Sequence, residues 1–227
     1  MRSLFEYLST KVKPSTIKAT NGNIWKIVNN EIKYLGEEAD LNHIDVSEVT
    51  IFDEVFYNTP FRGDVSKWDV HNMRSARFMF SASLFNGDLS RWDVSNCKNF
   101  NSMFNMALLF EGYGLENFNV ENAEDMSYMF HRKGNFTGKN ICDWKIPYNI
   151  NLTCMFKNCF DLETDLSSWD ITNTSMQSEI FDHCYKMIPQ WFPQGTYVET
   201  VDTDIDYNST KANKDIQAIK KQKIENR

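Results

Sequence analysis

The sequence predicts an α/β protein, a solenoid of about six coils of 24–26 residues, each a short strand plus a short helix, closed at its start by an N-terminal cap. Three observations predict it. Phe61–Phe80, FRGDVSKWDVHNMRSARFMF, recurs 24 residues on as Phe85–Phe104, FNGDLSRWDVSNCKNFNSMF. The Trp of these copies extends to a column of Ile44, Trp68, Trp92, Phe118, Trp144 and Trp169. Eleven and twelve residues after each member stands an apolar pair, from Val55-Phe56 through Met79-Phe80, Met103-Phe104, Met129-Phe130 and Met155-Phe156 to Ile180-Phe181. Trp68, Trp92, Trp144 and Trp169, with Phe80, Phe104, Phe130 and Phe156, are therefore the expected core.

Residues 1–40 are expected to form the cap. Leu4, Phe5 and Leu8 share one face of a short helix over 3–9, and Lys11–Asn23, polar and holding Pro14, is connection. Ile24–Val28 and Glu31–Leu35 flank Asn29-Asn30, which predicts a β-hairpin because Asn tolerates positive φ. Residues 41–195 hold the repeats. Val65, Leu89, Leu115, Ile141 and Leu166 lie three residues before the Trp column, and Val70, Val94, Val120, Ile146 and Ile171 two after it, predicting a short strand. Phe100, Met103, Phe104 and Ala107 follow i, i+3, i+4, i+7, and Met126, Met129 and Phe130 repeat this, predicting a short helix capped from Asn96 or Asn122.

The half from Trp to Phe keeps its length, while that from Phe to the next Trp runs 12, 12, 14, 14 and 13 residues, so the first half must pack in register and the second can loop outward. Its length changes fall around Glu111–Gly114, Lys133–Lys139 and Asp161–Glu163. Three residues past the Phe, Thr59, Ser83, Ala107, Cys159 and Cys184 make a small column that Lys133 breaks, which predicts a bulge in the fourth repeat. Ile188–Pro193, with prolines bracketing Trp191-Phe192, ends the array. Residues 196–227 are an acidic then lysine-rich tail, a frayed helix or disordered segment, or a basic helix that docks on the acidic stretch or on a partner.

A net charge of −7 argues against nucleic acid as the partner. No apolar run approaches the roughly 20 residues that span a bilayer. The start, MRSLFEYLSTK, has no apolar stretch of leader length because Glu6 interrupts it, so on this ground the chain is expected inside a cell. Five cysteines at irregular spacing do not outline a disulfide framework.

Asp45, Asp69, Asp93 and Asp170 follow the Trp column, and Asp64, Asp88 and Asp165 precede it. They are either turn residues accepting backbone N–H groups or a ladder of cation ligands, although a cation wants oxygens converging on one point. Cys154, Cys159, His183 and Cys184 cluster late; buried free thiols, a Cys159–Cys184 bridge and a zinc site are the alternatives. His43, His71 and His131 read as surface residues. No nucleophile has an orienting partner, and no phosphate loop or metalloprotease motif is present, so no enzyme, metal or cofactor is expected.

Trp-Asp-Val-Ser-Asn followed by Met-Phe, with Phe-Asn-Gly-Asp-Leu-Ser before the Trp, resembles the BspA-like leucine-rich-repeat family, also described as the DUF285 repeat. The resemblance covers residues 41–192, strongly around Trp68, Trp92 and Trp169. Around Phe118 and Trp144 the chain departs from it, with Asn119 and Lys145 for Asp and Glu116 and Cys142 for Ser. The resemblance implies a leucine-rich-repeat-like fold, binding of adhesion or host-interaction type, and a cell-surface setting.

Two function classes follow. One is a protein-interaction module for an unidentified protein partner, whose strand face carries Lys67, Asp69, Arg91, Asp93, Asn117, Asn119 and Lys145. The other is a structural or self-associating component of a cell-surface or virus-like assembly, with its ends making the contacts.

Overall fold

The computed structural model describes residues 15–133, 136–169, 171 and 179–184. The expected helix over 3–9, Asp170, the edge at Ile188–Pro193 and the tail over 196–227 lie outside the described residues. Repeats are numbered here from their Trp-column residue, the first at Ile44 and the sixth at Trp169.

The chain enters on β1 (Ile17–Lys18), which pairs in parallel with β2 (Ile44–Asp45). Between them runs α1 (Ile24–Leu35), where a hairpin was expected. The four-residue spacing of Ile24, Val28 and Ile32 is the decisive period. Ile24 and Val28 are buried, and Ile27 and Ile32 pack against the core. Asn29 needs no turn geometry, since its Nδ2 donates to the Trp25 carbonyl 2.8 Å away. Gly36 ends the helix at φ 99°, its N–H reaching the Ile32 carbonyl. His43, expected at the surface, is instead packed beneath α1 with its Nε2 2.9 Å from Glu31 Oε2.

Asn21 stands in for a missing repeat. The N–H groups of Arg74 and Ser75 donate to the Thr50 carbonyl, those of Lys98 and Asn99 to Arg74, and those of Glu124 and Asp125 to Lys98. The corresponding N–H groups of Thr50 and Ile51 have no earlier repeat, and the Asn21 Oδ1 accepts both at 2.8 and 3.1 Å.

The stretch expected to be helical in each repeat is a ribbon of turns. In the second repeat the N–H groups of Ala76, Phe78, Phe80 and Ala82 donate to the carbonyls of Asn99, Asn101, Met103 and Asn105 at 2.8–2.9 Å. Those of Met79, Ser81 and Ser83 turn back three residues, to Ala76, Phe78 and Phe80. Alternate donors therefore serve the next repeat and the local turn, and none is left for i→i−4 bonds. The pattern recurs from Phe100 to Met106 and from Met126 to Arg132. It needs left-handed residues four apart: Glu54 and Asn58, Phe78 and Ala82, Ser102 and Met106, Tyr128 and Arg132, Cys154 and Asn158, Glu179 and His183, at φ 52–63°. Such a φ costs about 1–2 kcal/mol for a residue with a Cβ, and the inter-repeat bonds, at about 0.5–1.5 kcal/mol each, offset it.

The extended pairing also sits elsewhere than expected. Val65–Trp68 is a turn, the Trp68 N–H donating to the Val65 carbonyl, and the same bond recurs at Trp92, Phe118, Trp144 and Trp169. Single parallel bridges instead link Ile51, Ser75, Asn99, Asp125 and Asn151 in succession, seven residues after the Trp column. The bulge expected at Lys133 is absent: its N–H donates to Phe130 as Ser83 does to Phe80 and Ala107 to Phe104.

Inside, side chains of equivalent positions stack. Phe56, Phe80, Phe104, Phe130, Phe156 and Phe181 form one file with centroids 5.1–5.9 Å apart and rings within 6° of parallel. Trp68 and Trp92, and Trp144 between Phe118 and Trp169, form a second at 6.4 Å. The expected core residues are all buried. Each Trp also fastens its repeat to the one before: Nε1 of Trp68, Trp92, Trp144 and Trp169 donates to the carbonyls of Leu41, Val65, Leu115 and Ile141 at 2.8–3.3 Å. Phe118 has no such donor.

Candidate interaction face

The turn at each Trp buries the ring and turns its neighbours out. Lys67, Asp69, Arg91, Asp93, Asn117, Asn119 and Lys145 are all exposed, as is Asp143, which stands in the Lys67 and Arg91 column. They are not equally available. Asp69 and Asp93 carboxylates accept the N–H two residues on, as does the Asn119 side-chain oxygen. The Asn117 amide donates to the Ser90 carbonyl in the preceding repeat. Lys145 lies 3.3 Å from Glu121. Lys67 and Arg91 make no ion pair among the described residues, and their charges face solvent.

The aspartates act as turn residues. Asp45, Asp64, Asp88 and Asp165 accept the N–H two residues on at 2.8–3.0 Å, as Asp69 and Asp93 do. The Ser95 hydroxyl and backbone hold Asp93 below the usual carboxylate range, and Ser47 does the same for Asp45. The same bond occurs at Asn99, Asp125 and Asn151 in the bridge column, which the sequence pattern does not single out. Among the described residues no group of His, Cys, Asp and Glu is placed to hold a metal ion.

The cysteines are free thiols. Cys159 and Cys184 share a column, and each Sγ donates to a carbonyl of the preceding repeat, Phe130 and Phe156 respectively. Burial pushes the Cys97 and Cys184 thiols up to about 12, and Cys159 well above its ordinary value.

Two features had no clear sequence signal. Charged side chains pair across repeats: Arg77 with Asp53, Lys98 with Glu124, Lys139 with Glu163, and Lys157 with Glu179 and Asp182. The only hint is that the partners stand 22–26 residues apart, near the repeat length. The other is the direction of Lys133, which the sequence marks only as a break in the small column and whose side chain is fully buried.

The geometry is that of one unit repeated with a fixed hydrogen-bond register. A family model described as "Mycoplasma protein of unknown function, DUF285" matches residues 26–114 and again 106–219. The chain belongs to the DUF285 family. No curated protein and no solved structure matches it. The two DUF285 segments overlap over 106–114, where the Phe-to-Trp half first lengthens, so that irregularity falls at the junction of the matches. No helix among the described residues of this DUF285 chain is long and apolar enough to cross a membrane.

Proposed function

We propose that this DUF285 chain is a non-enzymatic protein-interaction module, a leucine-rich-repeat-like solenoid of the BspA-like kind, whose Trp-flanking face engages a protein partner in binding of adhesion or host-interaction type. One observation carries the reading. In four successive repeats both neighbours of the buried aromatic, Lys67 and Asp69, Arg91 and Asp93, Asn117 and Asn119, Asp143 and Lys145, are exposed. A surface repeated in register offers area rather than a pocket. Each of its two columns is graded in charge, in opposite directions: Lys67, Arg91, Asn117 and Asp143 before the aromatic, and Asp69, Asp93, Asn119 and Lys145 after it. A partner with complementary charges in both columns is oriented by them. The thiols support a non-enzymatic reading, because burial that raises a thiol's pKa suppresses its nucleophilic form.

The test is affinity capture from cell extract with the intact chain, then binding of the captured protein by variants. Lys67→Glu with Arg91→Glu should slow association and alter its salt dependence, while changing stability by no more than about 0.5 kcal/mol. Tyr113→Ser with Lys139→Glu, both in the variable halves, should leave binding intact. Binding that survives the first pair and is lost with the second places recognition on the loops. Concentration-dependent assembly of the chain alone in sedimentation, with no partner captured, favours a structural role.

A further inference from the structure

Lys133 takes the place that Thr59, Ser83, Ala107, Cys159 and Cys184 hold in the other repeats. The backbone keeps its register there, so the long side chain has to enter the core. Its Nζ donates to the Phe110 carbonyl and lies 5.7 Å from the Phe110 ring centroid and 5.2 Å from that of Phe136. Lys133 makes no ion pair among the described residues. A buried ammonium with a single carbonyl partner and no ion pair has lost its hydration, which the two ring faces only partly replace, so the neutral amine is the form the site favours. Among the described residues two ionisable groups face it, Cys159 from the fifth repeat and Glu111 from the third. Cys159 is held as the neutral thiol by burial, which leaves Glu111 as the facing carboxylate among the described residues.

We propose that Lys133 is a proton-operated latch: as the neutral amine it closes the core between the third and fourth repeats, and on protonation the ammonium withdraws toward Glu111 and solvent, loosening that seam. Burial brings the amine down from 10.5 to about 7. An unfolded lysine keeps its proton up to the higher value. Between the two the unfolded state binds one proton more than the folded state, so stability rises with pH through this window. Below about 7 the ammonium is present in both states and the contribution no longer changes.

Three readouts test the latch. The Lys133 side-chain 13Cε resonance of the folded wild-type protein should titrate near 7; a midpoint at the ordinary lysine value overturns the proposal. The ratio of unfolding equilibrium constants of wild type and Lys133→Met should change about tenfold per pH unit from about pH 7 to about 10. A ratio independent of pH overturns it, and if the variant does not fold the wild-type titration still decides. Exchange of the Met106 and Lys133 amides, corrected for intrinsic pH dependence, should be several-fold faster below the midpoint than above it, whereas equal exchange rules out an opening seam.

Discussion

The two halves of each repeat solve the same stacking problem differently. From Trp to Phe, the ribbon sends every second N–H to the next repeat, and its length never changes. The ladder runs on two residues past the Phe, at Asn58, Ala82, Met106, Arg132 and Asn158; from there to the next Trp, inter-repeat bonds are scattered, such as Arg62 to Glu37, Asp64 to Ala39, Leu84 to Thr59, Leu89 to Tyr113, and Glu163 and Thr164 to Thr137. There the length varies by up to two residues. Insertion is tolerated where few bonds have to be kept in register. The two 14-residue halves also carry glycines at positive φ, Gly112 and Gly114 at 92° and Gly138 at 76°. The ribbon reaches positive φ with Phe, Tyr, Met and Glu, because its ladder holds them there; the looser half uses glycine.

This comparison can be broken or sharpened. Phe104→Ala removes a ring from the middle of the Phe file, between Phe80 and Phe130. It should cost about 3–5 kcal/mol in denaturant unfolding; below about 1 kcal/mol, the file is not the core of the constant half. Gly114→Ala is the matching lesion in the variable half. A Cβ there would sit 2.2 Å from the Ser90 backbone N and 2.4 Å from the Leu89 C, so a loss of about 2–4 kcal/mol is expected. A tolerated alanine would mean that this half adapts freely.

Asn21→Ala withdraws the side-chain acceptor from Thr50 and Ile51 at an exposed edge. A loss of about 1 kcal/mol is expected, with faster amide exchange at these two residues before any other. Phe118→Trp supplies the missing indole donor. In the equivalent place Trp92 Nε1 reaches Val65, so the new one should reach Leu89 and stabilise by about 0.5–1 kcal/mol in thermal or denaturant unfolding. Destabilisation would show that the fourth repeat is spaced differently from its neighbours.

The period, the Trp and Phe columns and their burial were legible in the sequence because each rests on residue type at a fixed spacing. So was the outward placement of Lys67, Asp69, Arg91 and Asp93 beside a buried aromatic. The ribbon was not. Phe100, Met103, Phe104 and Ala107 face inward in a turn ribbon as they would in a helix, and the pattern records only which side chains are inside, not which carbonyl each N–H finds. A partner strand one repeat away decides that. In α1 the Asn29-Asn30 pair outweighed the Ile24, Val28, Ile32 spacing, although the cap needs only one apolar face. Lys133 was legible as an exception but not in direction, since an outward bulge and an inward side chain break the same column.

The central claim is that the ribbon amides bond across repeats, and scalar couplings through hydrogen bonds report this directly. In a 15N,13C-labelled sample, the amide nitrogens of Phe78, Phe80 and Ala82 should couple to the carbonyl carbons of Asn101, Met103 and Asn105. Coupling of Phe80 to Ala76 and of Ser81 to Arg77 would instead report a helix within the repeat, and would contradict the ladder on which the register of the exposed face depends.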